Sequence, residues 1–353
     1  MKRHIYIGGL LALTGLLGAC SSDEEPIQDK PNTYTFEVRT RGVGATTPSA
    51  PDDARQHTRL YVAERLPEHT EPLHCASGNR HDLTGGHYEL ASLYGQWYKF
   101  AFVCVPKWGS GVGDDTLGGA ELLTEEMPAD HTCDFNKLLI DYKPVLNHQK
   151  SNPVMAATED LNVYRKVIDR WIDPEPEKQP NVENVLMQRI TGELIIEMGV
   201  PADQFPKDVE YIELTLKAPA MQTYVHDEAG GKVITRDGFG DMVYKLDFSG
   251  LEAEAYRTAM DTKQMFHLCL LPEVLQGTIM VKYKGTSESL ALTLDADTAN
   301  GNTRVEIHPN RRTTVLYHGM KPDEFEVRYA GFDDDAQIGV GDDEWNGWKP
   351  EKK

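Results

Sequence analysis

The feature that most constrains this chain is a two-residue alternation of apolar and polar side chains recurring through its second half. Leu194, Ile196 and Met198 alternate, with Glu193 and Glu197 facing away. Ile212, Leu214 and Leu216 repeat the pattern, as do Met242, Tyr244, Leu246 and Phe248. Phe266, Leu268 and Leu270 continue it, followed by Ile279, Val281 and Tyr283, then Leu290, Leu292 and Leu294. Successive side chains on a strand point to opposite faces, so each run reads as a strand with one face in a core. Turn formers such as Ala229-Gly230-Gly231 and Asn300-Gly301-Asn302 separate the runs, and Asp295-Ala296-Asp297 ahead of Asn300-Gly301 reads as hairpin chemistry. Many short strands divided this way indicate a β-sandwich. Ala253 to Met260 is expected to form a short helix. No repeat of fixed short period is visible, which disfavours a propeller or solenoid.

The first half carries fewer such runs. Tyr34, Phe36 and Val38 alternate with polar partners, and Arg39-Thr40-Arg41-Gly42 closes that strand. Ala45 to Asp53 is a Pro/Thr/Ser loop. Leu60-Tyr61-Val62 and His87-Tyr88-Glu89-Leu90 are short strand candidates. Trp97 to Val105 is the strongest apolar run here and stops at Pro106, so it is expected as the central strand of a first β domain. Lys107 to Asp134 reads as a long surface loop. Asp160 to Trp171 fits one helix or two strand fragments, since Leu161, Tyr164, Ile168 and Trp171 have helical spacing. Pro174, Pro176 and Pro180 with charged neighbours mark a domain boundary.

The amino terminus sets the address. Lys2 and Arg3 precede an apolar run from Ile5 to Leu17, then Leu17-Gly18-Ala19-Cys20 and Ser21-Ser22-Asp23-Glu24-Glu25. That order describes a secretory signal, and the run is well short of the ~20 residues a spanning helix needs. Leu17 to Cys20 resembles the bacterial lipobox, which implies cleavage between Ala19 and Cys20 and a thioether-linked lipid on Cys20. Ser21 is not the Asp that retains many lipoproteins at the inner membrane. Asp23-Glu24-Glu25 resembles the tag that exports Bacteroidetes lipoproteins to the cell surface, although such charge also suits a solvated tether. The formal net charge is -20, and loss of Lys2 and Arg3 makes the mature chain more acidic. That argues against nucleic acid and against docking on anionic headgroups. The lipid must hold the protein to the membrane.

Four cysteines follow Cys20. Cys104 and Cys269 lie in apolar runs and are expected as buried thiols, whereas Cys75 and Cys133 have polar surroundings and would be free to pair. His74, Cys75, His131 and Cys133 are zinc-type residues without a paired-ligand motif. Asp333, Asp335, Gln337 and Glu344 match four positions of a calcium loop, but Ile338 stands where its Gly is required. Neither set is read as a metal site, and no cofactor is expected. No nucleophile elbow, phosphate-cradling loop or metalloprotease helix is present. The Gly-Ser-Gly at 109–111 lacks elbow spacing, and proximity of Asp237 and Asp241 means little in so acidic a chain. An enzyme is not expected.

Arg189-Ile190-Thr191-Gly192-Glu193-Leu194-Ile195-Ile196 and Ile307-His308-Pro309-Asn310-Arg311-Arg312-Thr313-Thr314, together with the lipobox and two successive β regions, resemble the FimB-type fimbrial anchor lipoproteins of Bacteroidales. The resemblance covers nearly the whole mature chain and includes no catalytic signature. It implies a mostly β protein of two tandem transthyretin-like Greek-key β-sandwich domains after a lipoprotein signal peptide. The divisions are a signal peptide at 1–19, an acidic tether at 20–32, sandwiches at 33–178 and 179–320, and a C-terminal strand and acidic tail at 321–353. It implies a place at the base of a surface fimbrium, on the outer membrane and facing outward, with fimbrillin-like shaft subunits as partners joined by β-strand addition. Cleavage after Arg39 or Arg41 would release such an anchor from its lipid. The candidate donor strand is Phe325, Val327 and Tyr329, alternating with Glu324, Glu326 and Arg328; the same alternation suits a last strand in its own sandwich. The alternatives are a surface glycan-binding lipoprotein, with Trp97, Trp108, Trp171, Trp345 and Trp348 as sugar platforms, and a fimbrial tip adhesin.

Overall fold

A computed structural model of the chain describes residues 32–331 except 41–47, 54–55, 65–73, 77–79, 94, 107–117, 124–131, 135–138, 145–146, 151–155, 158–161, 174–181, 200, 205–207, 225–232, 235–239, 262–263, 288 and 319–324. The described residues are mostly β-strand, with one α-helix, Ala253–Asp261, where the helix was expected.

The second-half runs build a sandwich of two five-stranded sheets. One places Asn147–Lys150, Met242–Asp247, Val209–Leu216, Gly277–Tyr283 and Ser289–Leu294 side by side. The other places Ala156–Ala157, Gln264–Leu270, Gly192–Met198, Arg311–Tyr317 and Phe325–Gly331 in order. Between them lies one apolar core, to which Leu194, Ile196 and Phe266 contribute from one sheet and Ile212, Leu214 and Val281 from the other. The period-two pattern is carried directly into this packing, because one face of Val209–Leu216, Met242–Asp247 and Gly277–Tyr283 is dry. Gly277 has φ +150° and lies against Leu216. A Cβ there would collide with the Thr215 carbonyl, so the position admits only glycine without a shift of the backbone.

The first half is layered differently. A large sheet orders Gln188–Arg189, Tyr164–Trp171, Trp97–Pro106, Gln56–Glu64, His74–Ala76 and Thr132–Asp134, with Arg80–Leu83 also paired to Gln56–Glu64. One of its faces packs on a three-stranded sheet of Val182–Leu186, Asn32–Arg39 and His87–Leu93, through Phe36, Leu60, Val62, Phe100 and Phe102. The opposite face meets Ile140, Tyr142, Val163, Ile190, Cys269 and Leu271 through residues such as Tyr61, Ala101 and Val103. A strand covered on both faces cannot alternate, and this is why the Trp97–Pro106 strand reads as a nearly continuous apolar run, interrupted by Lys99.

Two local expectations are corrected. The Asp160–Trp171 region is neither a helix nor two fragments: Tyr164–Trp171 is a continuous strand paired with 97–104 along its whole length. Its helical spacing is overridden by burial of the partner strand, since tertiary pairing outweighs local preference. The stretch from Lys107 to Asp134 is not all loop, because Gly118–Leu123 and Thr132–Asp134 are strands. Glu193 faces away from the sandwich core but is fully buried, at 0% exposure. Hydrogen-bonded pairing also crosses residue 178 in both directions. Asn147–Lys150 and Ala156–Ala157 join the second-half sheets, while Val182–Leu186 lies parallel to the first strand.

Candidate functional site

The two segments behind the fimbrial resemblance lie side by side. Gly192–Met198 and Arg311–Tyr317 are parallel neighbours, with Glu193 opposite Arg312 and Ile196 opposite Val315. A side chain at Gly192 would collide with the His308 carbonyl, so glycine permits the close approach. Asn310 turns the chain back with φ +52°, and its N–H donates to the Thr191 carbonyl at 3.0 Å. Asn is among the few residues that tolerate this conformation.

This approach assembles a buried polar cluster where the large first-half sheet meets the sandwich. Arg189 Nη1 donates to Glu193 Oε1 at 3.4 Å, while Arg312 Nε at 3.3 Å and His267 Nε2 at 3.1 Å face Oε2. Beside it, Thr191 Oγ1 donates to Asn162 Oδ1 at 3.4 Å, and Cys269 Sγ lies 3.0 Å from the same oxygen. The Tyr142 hydroxyl donates to the Cys269 carbonyl at 2.5 Å, and burial pushes its pKa far up. A buried carboxylate needs such partners, because an isolated one is too costly to desolvate. The cluster joins strands of both halves and its groups engage one another. It is a joint, and its chemistry is positional.

Among the described residues, the first and last strands differ in their neighbours. Asn32–Arg39 lies between Val182–Leu186 and His87–Leu93, with Tyr34, Phe36 and Val38 buried. The Tyr34 hydroxyl donates to Glu183 Oε2 at 2.9 Å, and Arg170 grips the same carboxylate through Nε at 2.7 Å and Nη2 at 2.5 Å. Burial and then the Glu183 carboxylate push Tyr34 up to about 12, while the Arg170 hydrogen bond holds Glu183 below the usual carboxylate range. Phe325–Gly331 is instead an edge strand, antiparallel to Arg311–Tyr317 over seven residue pairs. Phe325 and Val327 pack on the sandwich core, whereas Tyr329 is 48% exposed and touches the His308 ring. The candidate donor residues therefore occupy the edge of their own sheet in the single chain.

A third surface is aromatic. Trp97 and Trp171 are directly opposite in the large sheet, 42% and 46% exposed, with their rings in edge-to-face contact at 6.1 Å. Cys104 and Cys269 are buried free thiols, as expected. Ala19, Cys20, Arg41, Trp108, the Gly-Ser-Gly at 109–111, His131, Asp237, the stretch from Asp333 to Glu344, Trp345 and Trp348 lie outside the described residues. Among those described, no group of three or more metal-ligating side chains is gathered, and no helix is long and apolar enough to cross a membrane. The polar joint escaped sequence reasoning, although Glu193 inside an apolar run and His267 and Cys269 within one strand were the available signals.

No family model and no curated protein matches the chain. Solved structures are similar in outline. The fimbrial anchor protein Mfa2 of Porphyromonas gingivalis is 12% identical, with a TM-score of 0.39 and 85% of this chain and 98% of that one covered. The tip fimbrial protein Mfa3 of the same organism, truncated at its C-terminus, is 12% identical, with a TM-score of 0.41 and coverage of 85% and 99%. A Bacteroides thetaiotaomicron structure described as a candidate polysaccharide-binding protein is 9% identical, with a TM-score of 0.47 and coverage of 85% and 96%. At these identities the roles of individual residues rest on this chain's own geometry.

Proposed function

We propose that this chain is a structural anchor or accessory subunit of a cell-surface fimbrium. Lipid on Cys20 holds it to the outer membrane, and β-strand addition joins it to fimbrillin-like shaft subunits. Its two bodies, 33–178 and 179–320, are transthyretin-like sandwiches that exchange short strands across their boundary. It is not an enzyme. The observation that carries the reading is the contrast between the ends of the chain. The strand that follows the lipid tether is central, apolar and clamped by Glu183, so tension on the lipid acts on backbone bonds to two neighbours. Among the described residues the last strand has one neighbour and an alternating apolar face, which is the form a donor segment takes.

The test is cross-linking in cells followed by pull-down from outer membranes. The full chain is compared with a chain ending at Gly319 and with the double variant Thr314→Cys, Arg328→Cys. Those two positions face each other across the last strand pair, so oxidation locks the strand at home without truncating the core. Recovery of a fimbrillin-like subunit by the full chain and the reduced variant, but not by the oxidised one, is the expected result. Recovery by the locked chain moves the contact off this strand; recovery of no protein partner by any form ends the anchor reading.

The paired Trp97 and Trp171 favour a second reading, a glycan-binding surface lipoprotein. Exposed aromatic faces stack on sugar rings at low entropic cost. Trp97→Ala and Trp171→Ala would then abolish saccharide binding while leaving the melting temperature within a degree or two.

A further inference from the structure

We infer that Cys75 and Cys133 form a cross-strand disulfide that staples the outer edge of the large first-half sheet. His74–Ala76 and Thr132–Asp134 pair antiparallel, and the register sets Cys75 directly opposite Cys133, with His74 against Asp134 and Ala76 against Thr132. Opposed residues in an antiparallel pair have Cα atoms about 4.5 Å or about 5.5 Å apart. Both separations fall inside the roughly 4.4–6.8 Å that a disulfide spans. A slip of one residue would set Cys75 against Thr132 or Asp134, so the register itself singles out this pair. The other two described cysteines are not competitors. Cys104 is buried in a different strand, with its thiol pushed up to about 12 mainly by burial, and Cys269 is buried at the polar joint. A thiol that stays protonated is a poor nucleophile for exchange.

The place in the fold gives the bond a purpose. Both strands are three residues long, and among the described residues Thr132–Asp134 ends its sheet and the Glu64–His74 pair ties His74–Ala76 to the next strand. So short a ladder holds weakly alone. The bond would close a loop of about 60 residues, long enough to remove substantial freedom from the unfolded chain. It forms by thiol–disulfide exchange: the two thiols lose two protons and two electrons, and the disulfide of an oxidoreductase or of oxidised glutathione is reduced to two thiols. It rests on the proposed export, because that chemistry persists only in an oxidising compartment.

Full-length protein is taken from the membrane fraction of cells quenched with iodoacetamide, digested without reduction and mapped by mass spectrometry. A second portion is purified, reduced with dithiothreitol and reoxidised in glutathione buffer before mapping. The expected result in both is a Cys75–Cys133 peptide pair lighter by two hydrogens, with Cys104 and Cys269 alkylated only after unfolding. Cys75→Ser and Cys133→Ser should each lower the melting temperature by roughly 5–10 °C and remove any further effect of reductant. Linkage in the purified protein alone supports the pairing and counts against export. Folded protein in which both cysteines are alkylated after glutathione treatment, or are joined to other partners, overturns the inference.

Discussion

The Asn32–Arg39 and Phe325–Gly331 strands carry the same apolar alternation, yet among the described residues one lies between two neighbours and the other has a single neighbour. In the first, Tyr34, Phe36 and Val38 are buried. In the second, Phe325 and Val327 are only partly buried and Tyr329 faces water. An identical pattern thus gives a central strand in one place and an edge strand in the other. What separates them is the number of backbone partners and the depth of the face they cover. A strand held on both sides loses two ladders when it leaves; an edge strand loses one and can regain it on a neighbouring molecule.

The sharpest way to break this contrast is Phe36→Ala. Phe36 is wholly buried against Phe100 and Phe102, with ring centroids at 5.0 Å and 5.1 Å. Its truncation should cost about 3–5 kcal/mol in chemical denaturation. A loss no greater than that of an edge residue would erase the distinction.

Next in size is a pair of pH effects of opposite sign. Burial raises Glu273 to about 7, opposed by the Ala220 N–H that donates to it at 3.0 Å. The unfolded chain then binds fewer protons than the folded one between about pH 4.5 and 7, so stability falls as pH rises through that window, by up to about 3 kcal/mol. Glu273→Gln should flatten the slope. Glu183 has the opposite sign: its folded pKa is depressed, so its contribution is present above the ordinary carboxylate range and is lost as pH falls below it.

Glu183→Gln, which removes the charge from the clamp on Tyr34 and Arg170, should cost about 1.5–3 kcal/mol at neutral pH and abolish that acid-side dependence. Smallest is Val327→Ala on the edge strand, expected near 1 kcal/mol because the side chain is only partly buried. Hydrogen exchange should show its strand opening before Asn32–Arg39 does. Equal protection of the two strands would count against a detachable end.

Much of the sandwich was legible because a strand with one wet and one dry face writes its period into the chain. Leu194, Ile212, Tyr244, Leu268 and Val281 all enter the expected core. Elsewhere that condition fails. Tyr164–Trp171 mimicked helical spacing because its apolar positions answer to a partner strand far earlier in the chain, residues 97–104. Glu193 read only as facing away, because alternation reports that a side chain leaves one core, without reporting that Arg189, His267 and Arg312 wait on the other side.

The sequence by itself determined the β class, the strand candidates and the two segments that proved to be neighbours. It also supplied the acidic character and the amino-terminal address expected from Cys20. Only the tertiary structure decided that those segments meet at a buried ion cluster, that Cys75 stands opposite Cys133 in backbone register, and that, among the described residues, the first strand is central and the last at an edge. The reason is physical: periodicity is a property of a strand and its immediate solvent, whereas register, partner number and charge burial belong to pairs of segments far apart in the chain.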